Sequence, residues 1–198
     1  MDEYNIKIVL LGEARVGKTS LINAFMDIKF NPDEKNTTDK NNYSKTIILN
    51  NKKLNLFLWD TMGQEQYRST TRGLIKNSNI VIFVYDITKR YSFLELKYWV
   101  GAAIEELGNE EVIFGVAANK IDLFTQNEIE TTEAEEYAEK KINGLFCETS
   151  AKDNPLGFQD FVKQLLEKLI SKPNVLEKLR SNQNLKLKNR NKKGKSCC

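Results

Sequence analysis

An apolar, β-branched run at Asn5–Leu11 stops at a glycine, and the segment from there, Gly12-Glu-Ala-Arg-Val-Gly17-Lys18-Thr19, matches the pattern G-x-x-x-x-G-K-[ST]. Beyond it Leu21, Ile22, Phe25 and Met26 recur at helical spacing, which predicts a helix over Thr19–Met26. A strand that feeds a helix through a glycine loop belongs to a parallel sheet. In that setting the glycines let successive backbone N–H groups face one anion, and the helix N-terminus adds positive potential. The loop residues Ala14, Arg15, Val16, Gly17, Lys18, Thr19 and Ser20 are therefore expected to cradle phosphates. Lys18 reaches the β- and γ-phosphates, and the Thr19 hydroxyl ligates Mg²⁺.

The rest of the chain repeats the alternation. Ser44–Leu49 and Lys53–Trp59 flank Asn50-Asn51, a pair that tolerates positive φ and so reads as a tight hairpin. Three further strand-then-helix units follow. Ile80–Tyr85 leads to a helix over Ser92–Leu107, Val112–Ala117 to one over Thr132–Lys141, and Leu145–Glu148 to one over Leu156–Ile170. Asn154 reads as the N-cap of the last helix, with Pro155 at its first position and Pro173 beyond its end. The stretches at 29–42 and from Thr61 to about Ser69 read as irregular. The expected fold is α/β: a doubly wound, six-stranded, mostly parallel sheet with one antiparallel edge strand and flanking helices.

Composition sharpens this. At 198 residues the chain suits one domain, here expected over 1–171. Of the net charge of +3, residues 171–198 carry +8 and the preceding 170 residues therefore −5. An acidic domain thus bears a basic arm, a tail expected to be flexible over 172–198 with at most a short helix near Val175–Leu179. The chain has no histidine, which excludes His-dependent catalysis and His-ligated metals. Its cysteines are Cys147 and the terminal pair Cys197 and Cys198, neither a disulfide framework nor a zinc pattern. Cys147 reads as a small buried residue. No apolar run approaches the roughly 20 residues that span a bilayer, and Met1-Asp2-Glu3-Tyr4 does not resemble a secretory signal, so a cytosolic setting is the default expectation.

Three later motifs specify the nucleotide. Asp60-Thr-Met-Gly63-Gln64-Glu65 follows an apolar strand, where Asp60 can hold Mg²⁺ through water, the Gly63 N–H can meet a γ-phosphate and Gln64 can orient an attacking water. Asn119-Lys120-Ile-Asp122 follows the strand ending at Ala117. There Asp122 can accept from the N1–H and exocyclic amine of guanine, a pairing adenine cannot make. Ser150-Ala151-Lys152 follows the last strand and sets a backbone N–H near the guanine carbonyl. Each short motif alone is ambiguous. In this order, at successive strand ends, they point to GTP and GDP.

At this point the sequence resembles the small GTPases of the Ras superfamily, and among them the Rab family. The Rab likeness rests on Leu58-Trp59-Asp60-Thr61 with Gly63-Gln64-Glu65, on Val84-Tyr85-Asp86-Ile87-Thr88, and on the terminal Cys197-Cys198. It implies that Phe30 stacks on guanine and that Thr37, or Thr38 after a one-residue slip, completes the Mg²⁺ shell when GTP is bound. It implies a switch in residues 31–42 and 61–72, slow hydrolysis stimulated by an activating protein, and further partners: an exchange factor, a GDP-dissociation inhibitor and effectors. Prenylation of Cys197 and Cys198, backed by the basic run Lys186–Lys195, would place the protein on the cytosolic face of an intracellular membrane, in vesicle traffic, with no role for nucleic acid.

Departures from the family are equally specific. Met62 stands where the family has alanine, beside the γ-phosphate, and Thr38-Asp39-Lys40-Asn41-Asn42 and Leu74-Ile75-Lys76-Asn77-Ser78 replace the usual effector-facing stretches. A non-cycling guanine-nucleotide scaffold, with hydrolysis impaired by Met62, is the alternative reading.

Overall fold

The protein is described by a computed structural model at residues 1–30, 42–61, 68–108 and 110–180, with the side chains of 68–71 excepted. Strand β1 (Asp2–Leu11) shows how the sequence sets the layers. Tyr4, Ile6, Ile8 and Leu10 point into one hydrophobic cluster, and Val9 and Leu11 into another on the opposite face. This period of two is that of a strand buried on both sides. Helix α1 (Lys18–Phe25) leaves the glycine loop. The hairpin β2 (Asn42–Leu49) and β3 (Lys52–Asp60) turns at Asn50 and Asn51, with φ of 49° and 58°. Two successive left-handed residues make the turn whose twist matches the strands, and asparagine accepts that conformation.

Helix α2 (Arg68–Ile75) follows, then β4 (Ile80–Asp86), α3 (Arg90–Leu94) and α4 (Leu96–Leu107). The single helix expected over Ser92–Leu107 is thus interrupted at Glu95. Strand β5 (Ile113–Asn119) leads through a 3₁₀ segment at Ile121–Gln126 to α5 (Thr131–Glu136). That helix widens into a π turn at Tyr137–Lys141 before β6 (Leu145–Glu148) and α6 (Pro155–Ile170). Asn154 caps α6 as expected, its side-chain oxygen accepting from the Gly157 N–H at 3.0 Å, with Pro155 in the first turn.

The sheet order is β2-β3-β1-β4-β5-β6. Among the described residues only the β2–β3 strand pairing in the sheet is antiparallel, which gives the doubly wound sheet with one antiparallel edge strand. β4 lies next to β1, and all seven of its residues are buried. Ile80, Ile82 and Val84 join the cluster under α1 and α6, while Val81, Phe83 and Tyr85 join the cluster under α3, α4 and α5. Chain order reverses about β1, and in such sheets ligands bind beyond the carboxyl ends of the strands at that reversal. Gly12, Asp60, Asp86, Asn119 and Ser150 all sit at those ends or just past them.

At the opposite pole the chain stays packed beyond Pro173. Residues 173–180 form helix α7, which Pro173 opens, as its fixed φ and missing N–H suit a first helical position. Val175 and Leu179 are buried in the core cluster, Lys178 pairs with Glu110 at 3.6 Å, and Arg180 pairs with Asp2. The first residues assigned to the tail therefore lie on the domain, including the short helix anticipated near Val175–Leu179. Residues 181–198, with Cys197 and Cys198, lie outside the described residues.

Candidate functional site

The loop between β1 and α1 takes its curvature from three residues with positive φ: Gly12 (149°), Arg15 (63°) and Gly17 (97°). Two of them admit no side chain. A Cβ on Gly12 would stand 2.1 Å from the Val84 carbonyl oxygen of β4, and one on Gly17 would stand 2.3 Å from the Asn119 amide nitrogen. Gly17 is the N-cap of α1 and offers no side-chain cap, so the first turn of that helix presents its backbone donors to the loop. Lys18 is buried, and its ammonium donates to the carbonyls of Gly12 and Glu13, each at 2.8 Å. These two bonds arch the lysine back over the loop it must serve. Ala14 and Arg15 are exposed on the outer side of the loop, and Val16 is buried beneath it.

At the ends of β1 and β3, the Thr19 hydroxyl donates to the fully buried Asp60 carboxylate. Thr61 follows, its hydroxyl on the Leu10 carbonyl at 3.0 Å, which fixes the exit of β3 against β1. A hydroxyl beside a carboxylate is a hard-oxygen donor pair. It suits Mg²⁺, which takes one or two protein oxygens and completes its shell with phosphate and water.

The loops after β5 and β6 are joined to each other and to the glycine loop. Asn119 donates its amide to the Val16 carbonyl at 2.8 Å and accepts from the Ala151 N–H at 3.3 Å. Lys120, in left-handed conformation, donates to the Arg15 carbonyl at 2.9 Å and to Asp86 at 2.6 Å. Ser150 donates to Asp122 at 2.6 Å while its oxygen accepts from the Lys152 and Asp153 N–H groups, at 3.2 and 3.0 Å. The Lys152 side chain is exposed and lies 3.8 Å from Asp153. Phe30, beyond α1, keeps 42% of its surface exposed.

Of the residues singled out in the sequence, the structure thus brings together those from Gly12 to Thr19 with Asp60, and those from Asn119 to Asp122 with Ser150 and Ala151. Thr37, Thr38, Met62, Gly63 and Gln64 lie outside the described residues. Cys147, expected to be buried, is half-buried against the core, and burial pushes its thiol above the usual range. Burial likewise raises the Tyr85 phenol under the site.

Sequence reasoning missed two participants. Asp86, at the end of β4, is fully buried and holds Lys120 while accepting from the Thr88 N–H and hydroxyl, at 3.0 and 2.8 Å. Glu13, inside the loop, accepts from the Trp99 indole N–H at 3.0 Å. The signals were an acid ending an otherwise apolar strand, and a tryptophan on the apolar face of a helix, whose N–H needs a partner once buried.

Comparison with known proteins extends these observations. Residues 7–171 match the model of the Ras family. The chain is 37% identical over 179 residues to the Ras-related protein Rab-21 of Homo sapiens, an alignment that covers 90% of this chain and 78% of that one. It is 37% identical over 178 residues to the Ras-related protein Rab-2B of Dictyostelium discoideum, covering 88% and 87%. Against the Ras-related protein Rab-12 of Mus musculus the identity is 36% over 152 residues, 77% of this chain and 62% of the relative.

Proposed function

The chain belongs to the Ras family of small GTPases, in its Rab branch, and on that premise we propose that it is a GTP/GDP-switched regulator of vesicle-mediated membrane traffic. Ras and Rab proteins bind guanine nucleotide and hydrolyse GTP. The observation that carries the reading for this chain is the joining of two loop systems, Gly12–Thr19 after β1 and the Asn119–Asp122 and Ser150–Ala151 loops after β5 and β6, through Asn119 and Lys120 at the carboxyl edge of the sheet. One ligand with phosphates at one end and a base at the other spans such a site.

In this reading the N–H groups of Ala14 to Ser20 take the phosphates, and Lys18, aimed by the Gly12 and Glu13 carbonyls that its ammonium keeps, donates to the β- and γ-phosphates. Asp122 accepts from N1–H and the exocyclic amine of guanine, oriented by the Ser150 hydroxyl. The Ala151 N–H meets the guanine carbonyl oxygen, Lys152 and Phe30 flank the ring, and Asn119 holds the base loop to the phosphate loop. Mg²⁺ would be held by Thr19 directly, by Asp60 through water, and by Thr37 or Thr38. When bound, it neutralises charge that develops between the β- and γ-phosphates. Gly63 contacts the γ-phosphate and Gln64 orients the attacking water, with Lys18 stabilising charge on the transferred group. Partners of the switch are an exchange factor, an activating protein, a GDP-dissociation inhibitor and effectors.

Membrane attachment is proposed through two prenyl groups on Cys197 and Cys198. Among the described residues no helix is long and apolar enough to cross a membrane. Each buried CH₂ of a lipid adds about 0.8 kcal/mol, so two chains convert marginal contact into stable anchoring, and the six cations from Lys186 to Lys195 favour an anionic leaflet. The domain is then a nucleotide-dependent head on a lipidated arm.

The test is to denature purified protein and identify the released nucleotide by chromatography. Stoichiometric GDP or GTP is the expected result. An adenine nucleotide from folded, fully loaded protein would overturn the reading, and GTP that persists through incubation with Mg²⁺ would overturn the hydrolysis step.

A further inference from the structure

Glu13 and Trp99 form a contact that the phosphate-loop pattern does not demand, since position 13 is one of its unspecified residues. Trp99 lies on the inner face of α4 and is 1% exposed, so its indole N–H has been taken out of water. It donates to the Glu13 carboxylate at 3.0 Å. Glu13 in turn presents its backbone carbonyl to the Lys18 ammonium at 2.8 Å. A buried residue of α4, 86 positions away in sequence, therefore ends on the peptide unit that holds the phosphate-binding lysine.

The bond has the features of one that sets geometry. An N–H to carboxylate bond is charge-assisted and roughly twice as strong as a neutral one. Its donor side is immobile: the Trp99 ring is packed edge-on against Tyr98, with centroids 5.2 Å apart, in the cluster that also takes Val9 and Leu11 from β1. Its acceptor side lies on a loop whose neighbouring positions have supports of their own. Gly12 is pinned under the Val84 carbonyl, and the Arg15 and Val16 carbonyls are held by Lys120 and Asn119.

We propose that Glu13 is a positioning residue for nucleotide binding: held by the Trp99 indole, it fixes the carbonyl that aims Lys18 at the β-phosphate. The inference rests on guanine nucleotide binding at this loop. It makes a distinction that general loosening of the domain would not. Lys18 acts on phosphates beyond the first, so releasing Glu13 weakens GDP and leaves GMP, which has no β-phosphate, as it was.

The experiment uses the full chain loaded with N-methylanthraniloyl-GDP and chased with excess GDP, with GMP affinity measured by competition. Glu13→Ala is expected to release the analogue about tenfold faster, from the loss of one hydrogen bond to a charged group. Glu13→Gln, which keeps the acceptor oxygen, should stay within about twofold of the parent chain, neutral acceptors being weaker but still competent. Trp99→Phe should also speed release, and the double variant should fall short of the product of the two single effects, because both single variants lose the bond they share. GMP affinity should not change. Equal weakening of GDP and GMP, additive effects in the double variant, or an unchanged release rate in Glu13→Ala would each overturn the proposal. Should Trp99→Phe fail to fold, the contrast between Glu13→Ala and Glu13→Gln decides it alone. Failure of the unmodified chain to bind the analogue at all would instead strike at the guanine reading.

Discussion

From Asn119 to Ala151 the loops are positioned by their own side chains, whereas from Gly12 to Gly17 the chain takes its curvature from its backbone and lends its carbonyls to the side chains of Lys18, Asn119 and Lys120. In the first region Asn119, Lys120, Asp122 and Ser150 each make a side-chain bond to a neighbouring loop or strand end. In the second, the shape follows from positive φ angles and from two positions where no Cβ fits. The difference matches what each must recognise. A phosphate is met by backbone N–H groups whatever the residues are, provided the chain curls. A base edge must be read by a particular acceptor at a particular angle, and that angle is set by its supports.

Damage to the two regions should therefore look different. The largest effect is expected at Gly12. Gly12→Ala puts a Cβ 2.1 Å from the Val84 carbonyl, which is backbone of a fully buried strand and cannot yield. We expect a loss of about 3 kcal/mol or more in unfolding free energy, from overpacking combined with a strained φ, and no retained nucleotide. Chemical denaturation alongside nucleotide content checks this. A stable, loaded Gly12→Ala protein would mean that the phosphate loop is not limited by its backbone.

Next in size is Asp122→Asn. The amide offers a donor where guanine also presents donors, so GDP affinity should fall about a hundredfold or more, for two bonds lost to a charged acceptor. A xanthine nucleotide, with a carbonyl in place of the exocyclic amine, should lose far less. Competition against the fluorescent GDP analogue measures both. Stability should change little, which separates this variant from Gly12→Ala.

These two positions also mark how legible the site was. Gly12 and Asp122 belong to motifs whose spacing along the chain reports directly on one loop each, and the strands that carry them were visible as apolar runs. The two-faced burial of β1 and β4 followed from the same runs, as did the turn at Asn50-Asn51. What could not be read was the set of contacts between loops distant in sequence, such as Asp86 with Lys120 or Trp99 with Glu13, because no periodicity links residues 34 or 86 apart. Helix α2 was missed for a different reason. Arg68–Ile75 is poor in strong helix formers, contains Gly73, and buries Ile75 completely, so tertiary burial overrides a weak local preference. Pro173 read as the end of α6, which does stop short of it at Ile170; it also opens α7, because a proline suits a first helical turn as readily as it follows the end of the preceding helix.

Lys120 joins the two regions, and its removal should affect both. Lys120→Met keeps the stem but deprives the fully buried Asp86 of its cation and the Arg15 carbonyl of its donor. Leaving a buried carboxylate uncompensated costs about 3–5 kcal/mol in the extreme, and about 2 kcal/mol here, where the Thr88 N–H and hydroxyl still reach Asp86. GDP release should accelerate roughly tenfold to a hundredfold, in line with that loss. Adding Asp86→Asn to Lys120→Met removes the uncompensated charge but does not restore the lost donor to Arg15. It should recover stability while release stays fast, a dissociation of the two readouts that no purely local role of Lys120 would produce.

The smallest effect separates orientation from identity. Ser150→Ala removes the hydroxyl that donates to Asp122 and accepts from the Lys152 and Asp153 N–H groups, but leaves the carboxylate that reads the base. If the base region is held by side chains, affinity for GDP should fall about three- to tenfold, the value of one lost bond to a charged group, while preference for guanine over xanthine is kept. Ser150→Thr retains the hydroxyl and should restore affinity where its methyl is accommodated. An unchanged affinity in Ser150→Ala would show that Asp122 is positioned by the backbone alone, and the contrast between the two regions would collapse. A loss of guanine preference as large as that of Asp122→Asn would show the opposite, that the hydroxyl belongs to the reading surface itself and not to its support.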